Sequence, residues 1–135
     1  MRAHSLWQSF CCAFAGLWYV LRTQRNARIH VALGTTVMAC GACLPLTHRD
    51  WAVLILTIGF VFSFELLNTM VETLVDLVSP EYHPLARTAK DVAAGAVLTS
   101  ALVAFTVGVL ILGPPVWHRF STQSAAANVE NELPR

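Results

Sequence analysis

Glu65-Leu66-Leu67-Asn68-Thr69-Met70-Val71-Glu72-Thr73-Leu74-Val75-Asp76 closes a long stretch, Trp51 to Val78, whose first half through Phe64 carries no charge. Three carboxylates and one amide stand at spacings of three, four and four residues, so on a helix they share one face. Leu66, Leu67, Met70, Leu74 and Leu77 fall on the other face. A charged side chain at the centre of a bilayer costs about 2.5–3.5 kcal/mol on insertion scales. A stripe that repeats this cost predicts a protein-lined interior in which the carboxylates do chemistry.

The surrounding composition sets the class. The chain has 135 residues, enough for one domain, and is 56% hydrophobic with only 13% charged residues. Its mean hydropathy is +0.57. Soluble domains carry about 25% charged residues, so the composition predicts an integral membrane protein. A net charge of +1 gives no sign of a nucleic-acid partner.

Three segments have spanning length. Residues 29–46 contain no Asp, Glu, Lys or Arg, with His30 near the start. Residues 51–78 form the second. Val92 to Leu112 is uncharged, and the span is drawn at about 88–113, where Gly113-Pro114-Pro115 reads as a helix stop. A hydrocarbon core of about 30 Å takes about 20 helical residues. The second segment exceeds that, so its polar end projects to one membrane surface.

Ahead of these spans, Leu6, Phe10, Phe14, Leu17 and Leu21 recur at helical spacing, with Trp7, Trp18 and Tyr19 suited to headgroup depth. This predicts an interfacial amphipathic helix over about 5–25 rather than a signal peptide. The predicted whole is all-α: a membrane unit of residues 1–115 and a flexible tail over 116–135. Arg2, Arg22, Arg25 and Arg28 precede the first span, and Arg87 and Lys90 lie between the second and third. That bias puts the N-terminus, and the polar end of the second span, on the cytoplasmic side. Cys40 and Cys43 match a CxxC spacing but lie in an apolar span with no second motif, and read as small packing residues.

Three readings of the stripe compete: hydrogen-bond glue between helices, a proton or cation site in a small oligomeric carrier, and an enzyme. The following connection weighs between them. Ser79-Pro80-Glu81-Tyr82-His83-Pro84 and Arg87-Thr88-Ala89-Lys90-Asp91 gather charge at one face. A carrier needs its ionisable groups near the midplane. Phosphoryl transfer needs carboxylate-held Mg²⁺, cations and an oriented nucleophile. Residue chemistry thus favours a kinase or phosphatase acting on a lipid, with the structural and transport readings still open.

The block Glu65-x-x-Asn68-Thr69-x-x-Glu72-x-x-x-Asp76, with Glu81-Tyr82-His83-Pro84-Leu85-Ala86 and Ala89-Lys90-Asp91-Val92-Ala93-Ala94-Gly95-Ala96-Val97, closely resembles the bacterial diacylglycerol kinase and undecaprenol kinase family. The resemblance runs over about residues 5 to 113. It implies a homotrimer in the bacterial inner membrane, each chain with an interfacial helix and three transmembrane helices, and active sites between subunits at the cytoplasmic face. It implies transfer of the γ-phosphoryl group of ATP, with Mg²⁺, to the primary hydroxyl of diacylglycerol or undecaprenol.

Carried over by position, Glu65 matches the general base and Asn68 its orienting neighbour. Glu72 matches the ligand that holds Mg²⁺ against the nucleotide. Glu81, Tyr82 and His83 match the segment near adenine and ribose, Lys90 and Asp91 match nucleotide contacts, and Asp76 supports the site. Two positions depart from the family. Gln24 stands where many relatives have a metal-binding glutamate, and an amide offers one oxygen but no charge. Ser5 stands where the family has an arginine proposed to contact substrate. The alternative outside this class is a non-catalytic or transporting membrane oligomer with an intramembrane carboxylate site.

Overall fold

The computed structural model describes residues 5–132, with side chains beyond Arg119 described only at Ser121. Four helices and no strands occur among these residues: α1 Leu6–Thr23, α2 Arg25–Ala42, α3 His48–Val78 and α4 Pro84–Glu132.

Each boundary has a local cause. Ser5 caps α1, its side chain accepting from the Gln8 amide at 3.3 Å. Gln24 breaks the chain between α1 and α2 with an extended backbone, φ −98° and ψ 120°, while its N–H still donates to the Val20 carbonyl. Thr47 opens α3 with a capping box: its hydroxyl accepts from the Asp50 amide, and the Asp50 carboxylate accepts from the Thr47 amide at 2.8 Å.

The structure moves several of the expected limits. The segment expected at 29–46 is helical from Arg25 and ends at Ala42. Pro45 explains the early end, because it drives the residue before it out of the helical region. At 18 residues α2 is about 27 Å long and begins with Arg25 and Arg28, which shortens its apolar part. α3 and α4 are the two helices long and apolar enough to cross a membrane. The stop expected at 113–115 is absent: α4 runs through Pro114 and Pro115 to Glu132. Gly113, lacking a Cβ, eases the clash that a proline ring makes with the preceding residue, so the helix passes the pair at the loss of two backbone donors.

α3 packs most extensively on α4, less on α2 and least on α1. Glycine sets the α2–α3 approach. A Cβ at Gly34 would meet Ile58 Cγ2 at 2.9 Å, and one at Gly41 would meet Leu46 and Trp51 at 3.1 Å. Extending the Gly34–Ile58 and Gly41–Trp51 register by two turns sets Ala27, which is fully buried, level with Glu65.

Burial is inverted relative to a water-soluble bundle. The buried apolar residues are few (Val20, Ala27, Leu54, Val61 and Val97), and the buried polar ones are Glu65, Asn68 and Thr69. Leu67, Met70, Leu74 and Leu77, on the far face of the stripe, are exposed. So are Leu98, Leu102, Phe105 and Leu110 on α4. Hydrocarbon, not water, is the solvent that fits such a surface.

The glycine contact yields a stability prediction. Gly34→Leu should lower the thermal midpoint of the detergent-solubilised protein by overpacking Ile58, at about 1–3 kcal/mol. Gly59→Ala, where no atom lies within 4 Å of the added carbon, should leave it unchanged or raised. Equal midpoints for the two variants would show that Gly34 does not set the α2–α3 approach.

Candidate active site

The site is built on the last four turns of α3. Its 31-residue length carries the helix about 46 Å, which lets one rod hold an apolar half and a polar end. On the polar face the groups are graded by burial. Glu65 is 1% exposed, Thr69 4% and Asn68 7%. Glu72 is half-buried and Asp76 is exposed.

Glu72 is the centre of the hydrogen-bonded cluster. Asn68 Nδ2 donates to its Oε1 at 3.0 Å. Gln24 Nε2, from the α1–α2 junction, donates to its Oε2 at 3.4 Å. Both partners are neutral amides. Glu65 lies two turns deeper. Its Oε2 and the Asn68 Oδ1 are buried acceptors without a hydrogen-bond partner. Buried polar atoms are nearly always partnered, so this pair marks a place prepared for a donor such as a hydroxyl. Thr69 uses its own hydroxyl on the Glu65 carbonyl at 3.0 Å, which leaves the Glu65 carboxylate free.

Two apolar clefts lie along the apolar half of α3, before the Glu65 turn. One, of about 520 Å³, lies between α2, α3 and α4 and is lined by His30, Leu33, Ile58, Val61 and Phe105 among others. The other, of about 480 Å³, lies between α3 and α4, with Phe60 and Phe64 edge to face at 5.3 Å and the hydroxyls of Thr99 and Ser100 on the opposite wall.

His30 is the residue that sequence reasoning missed. It stood out only as an ionisable side chain near the start of an apolar run. In the fold it lines the larger of the two clefts. One signal was available: a histidine in a segment otherwise free of charge asks for an interior partner.

The remaining candidates form a rim. Lys90 Nζ meets Asp76 Oδ1 at 2.5 Å, joining the end of α3 to the first turns of α4. Arg87 and Asp91 pair at 3.7 Å on the exposed face of α4. Glu81, Tyr82 and His83 lie on the exposed connection before α4. There His83 Nδ1 accepts from the Leu85 amide, and the Glu81 carbonyl accepts from Ser79 Oγ. The structure thus joins Gln24, Asn68 and Glu72 directly. It gives Lys90 to Asp76 and Asp91 to Arg87, and records no hydrogen bond from residues 81–83 to the cluster. Among the described residues no three His, Cys, Asp or Glu side chains converge as a metal-binding group.

This arrangement suits phosphoryl transfer: a buried carboxylate with an unpartnered oxygen, a half-buried carboxylate two turns on, and Lys90 and Arg87 at the rim. Comparison with known proteins agrees. The sequence model described as prokaryotic diacylglycerol kinase matches residues 11–112, from α1 into α4. An undecaprenol kinase of Bacillus subtilis is 44% identical over 107 residues, covering 79% of this chain and 87% of that protein. A diacylglycerol kinase of Synechocystis is 48% identical over 115 residues, covering 84% of this chain but 66% of its own length. A diacylglycerol kinase of Escherichia coli is 35% identical over 84 residues, covering 62% of this chain and 64% of its own length. The chain belongs to the prokaryotic diacylglycerol kinase family.

Proposed function

We propose that this chain is a lipid kinase of the bacterial cytoplasmic membrane that transfers the γ-phosphoryl group of ATP to the primary hydroxyl of a membrane-embedded alcohol, diacylglycerol or undecaprenol. The observation that carries this reading is the Glu65 carboxylate, 1% exposed with an unpartnered Oε2, facing the interior of a helix whose outer face is apolar. A base in that place is screened from water. Family membership and the names of the relatives above support the same chemistry.

In the reaction, Glu65 takes the hydroxyl proton as the alcohol oxygen bonds to the γ-phosphorus. The bond from that phosphorus to the bridging oxygen breaks, leaving a lipid phosphate and ADP. Asn68, with its free Oδ1 beside Glu65 in sequence and its Nδ2 on Glu72, orients the hydroxyl relative to the phosphate end. Proton transfer of this kind contributes about 10²–10⁴-fold. The rest comes from alignment and charge stabilisation.

The residues present fit Mg²⁺. That ion is held by one or two protein carboxylates, with nucleotide phosphates and water completing its shell. Glu72, half-buried with the neutral amides of Asn68 and Gln24 on its oxygens, would supply such a carboxylate. Bound there, Mg²⁺ would neutralise charge on the β- and γ-phosphates. Lys90 and Asp91, with Glu81, Tyr82 and His83, form the nucleotide rim, and Asp76 holds Lys90 for it. We place this face on the cytoplasmic side, three spans and an interfacial α1 in each chain, and three chains in the assembly. The basic residues before α2 and around the α3–α4 connection support that sidedness.

Full-length protein in lipidic phase with MgATP should phosphorylate diacylglycerol, undecaprenol or both, and absence of turnover on either in folded protein would refute the reading. Glu65→Gln should cut kcat by at least about 10²-fold without changing the thermal midpoint or the oligomer. Activity near wild type would remove Glu65 from the role of base. Lys90→Met should raise KM for MgATP while costing at most about 1 kcal/mol of stability, because the ion pair it breaks is solvent-accessible. A large stability loss with KM unchanged would instead make Lys90 a structural strut.

A further inference from the structure

Gln24 occupies the single extended residue between two 18-residue helices. A residue at that place commonly turns its side chain back to cap the helix that follows. Gln24 makes no such bond. Its amide instead crosses 48 positions of sequence to reach Glu72. A carboxylate presents only acceptors, so the NH₂ end of the amide is the end that faces it. Asn68 takes the other oxygen.

We propose that Gln24 is a positioning residue for Glu72: with Asn68 it grips the carboxylate from both sides, and it does so without charge. The proposal deepens the kinase reading and rests on it for the role of Glu72 toward the nucleotide and its metal ion.

Three features support it. Both Glu72 oxygens are oriented, so the carboxylate is set in one rotamer before any cation arrives. Both donors are neutral, so nothing competes with the cation for the negative charge, as a lysine or arginine would. At 3.4 Å the Gln24 bond is long, near the outer limit of useful geometry, so a cation can draw on that oxygen without displacing a strong partner. The anchorage is firm as well: Val20 and Ala27, one turn to either side of Gln24, are buried. The α1–α2 junction thereby serves the catalytic end of α3, and Gln24 acts through Glu72 rather than as a metal ligand of its own.

Three substitutions in the full-length protein test this. Gln24→Ala should raise KM for MgATP about tenfold, the lower end of what loss of a partner to a metal ligand produces, with kcat within about twofold. Gln24→Lys keeps a donor but adds charge. It should hold or raise the thermal midpoint and still raise KM for MgATP, a split that a purely structural role would not give. Gln24→Glu replaces the donor by an acceptor facing Glu72. Its midpoint in EDTA should fall below wild type and recover with Mn²⁺ alone, without nucleotide or lipid, while the wild-type midpoint shifts little. An unchanged KM for MgATP in Gln24→Ala, or a Gln24→Glu midpoint indifferent to Mn²⁺, would overturn the proposal. Wild-type protein inert toward both lipids would sink the kinase reading instead, and the Mn²⁺ arm would still decide whether Gln24 positions Glu72.

Discussion

The constraint on which the rest depends is the burial of the Glu65 carboxylate. A helix that turns Glu65, Asn68 and Thr69 inward must turn Leu67, Met70, Leu74 and Leu77 outward, and the outward face then needs hydrocarbon around it. The same burial requires close walls. Gly34 and Gly41 supply them by letting α2 approach α3 at Ile58 and Trp51, and the register this sets, extended by two turns, puts the fully buried Ala27 level with Glu65. Polar inside, apolar outside and glycine at the crossing are one solution to one cost, since an unpaired charge facing lipid is the arrangement a membrane helix tolerates least.

Charge is sorted along α3 by depth. The deepest carboxylate has no hydrogen bond to its Oε2, the next is gripped by two neutral amides, and the outermost is matched by Lys90. Cations stay at the rim, where solvent lowers the cost of holding them, and neutral donors serve the interior. Such sorting leaves Glu72 with neutral partners only and Glu65 apart from both.

Much of the site was legible in the sequence because it lies on one helix. Spacings of three and four residues place Glu65, Asn68, Glu72 and Asp76 on a common face whatever the helix packs against, and the structure keeps them on one polar face whose exposure rises toward the end of the helix. Capping chemistry at Thr47 and Asp50 likewise follows from local sequence. Less was legible at the element ends. The proline pair at 114–115 carries a helix-stop signal that α4 overrides, and Pro45 ends α2 sooner than its hydropathy indicates. Hydropathy reports where a segment is apolar, whereas a helix end depends on backbone sterics and bonding.

The sequence by itself determined the all-helical class, the polar face of α3 and the family block from Glu65 to Val97, whereas of its three segments of spanning length only α3 and α4 are long and apolar enough to cross a membrane among the described residues. All of these rest on interactions within one helix, or on composition, and need no knowledge of neighbours. The tertiary structure alone decided which groups meet across helices: Gln24 with Glu72, His30 with the cleft between α2, α3 and α4, Lys90 with Asp76. Such partners are set by the register and distance between rods, which close glycine contacts control. A residue 48 positions away becomes a neighbour only once that register is known.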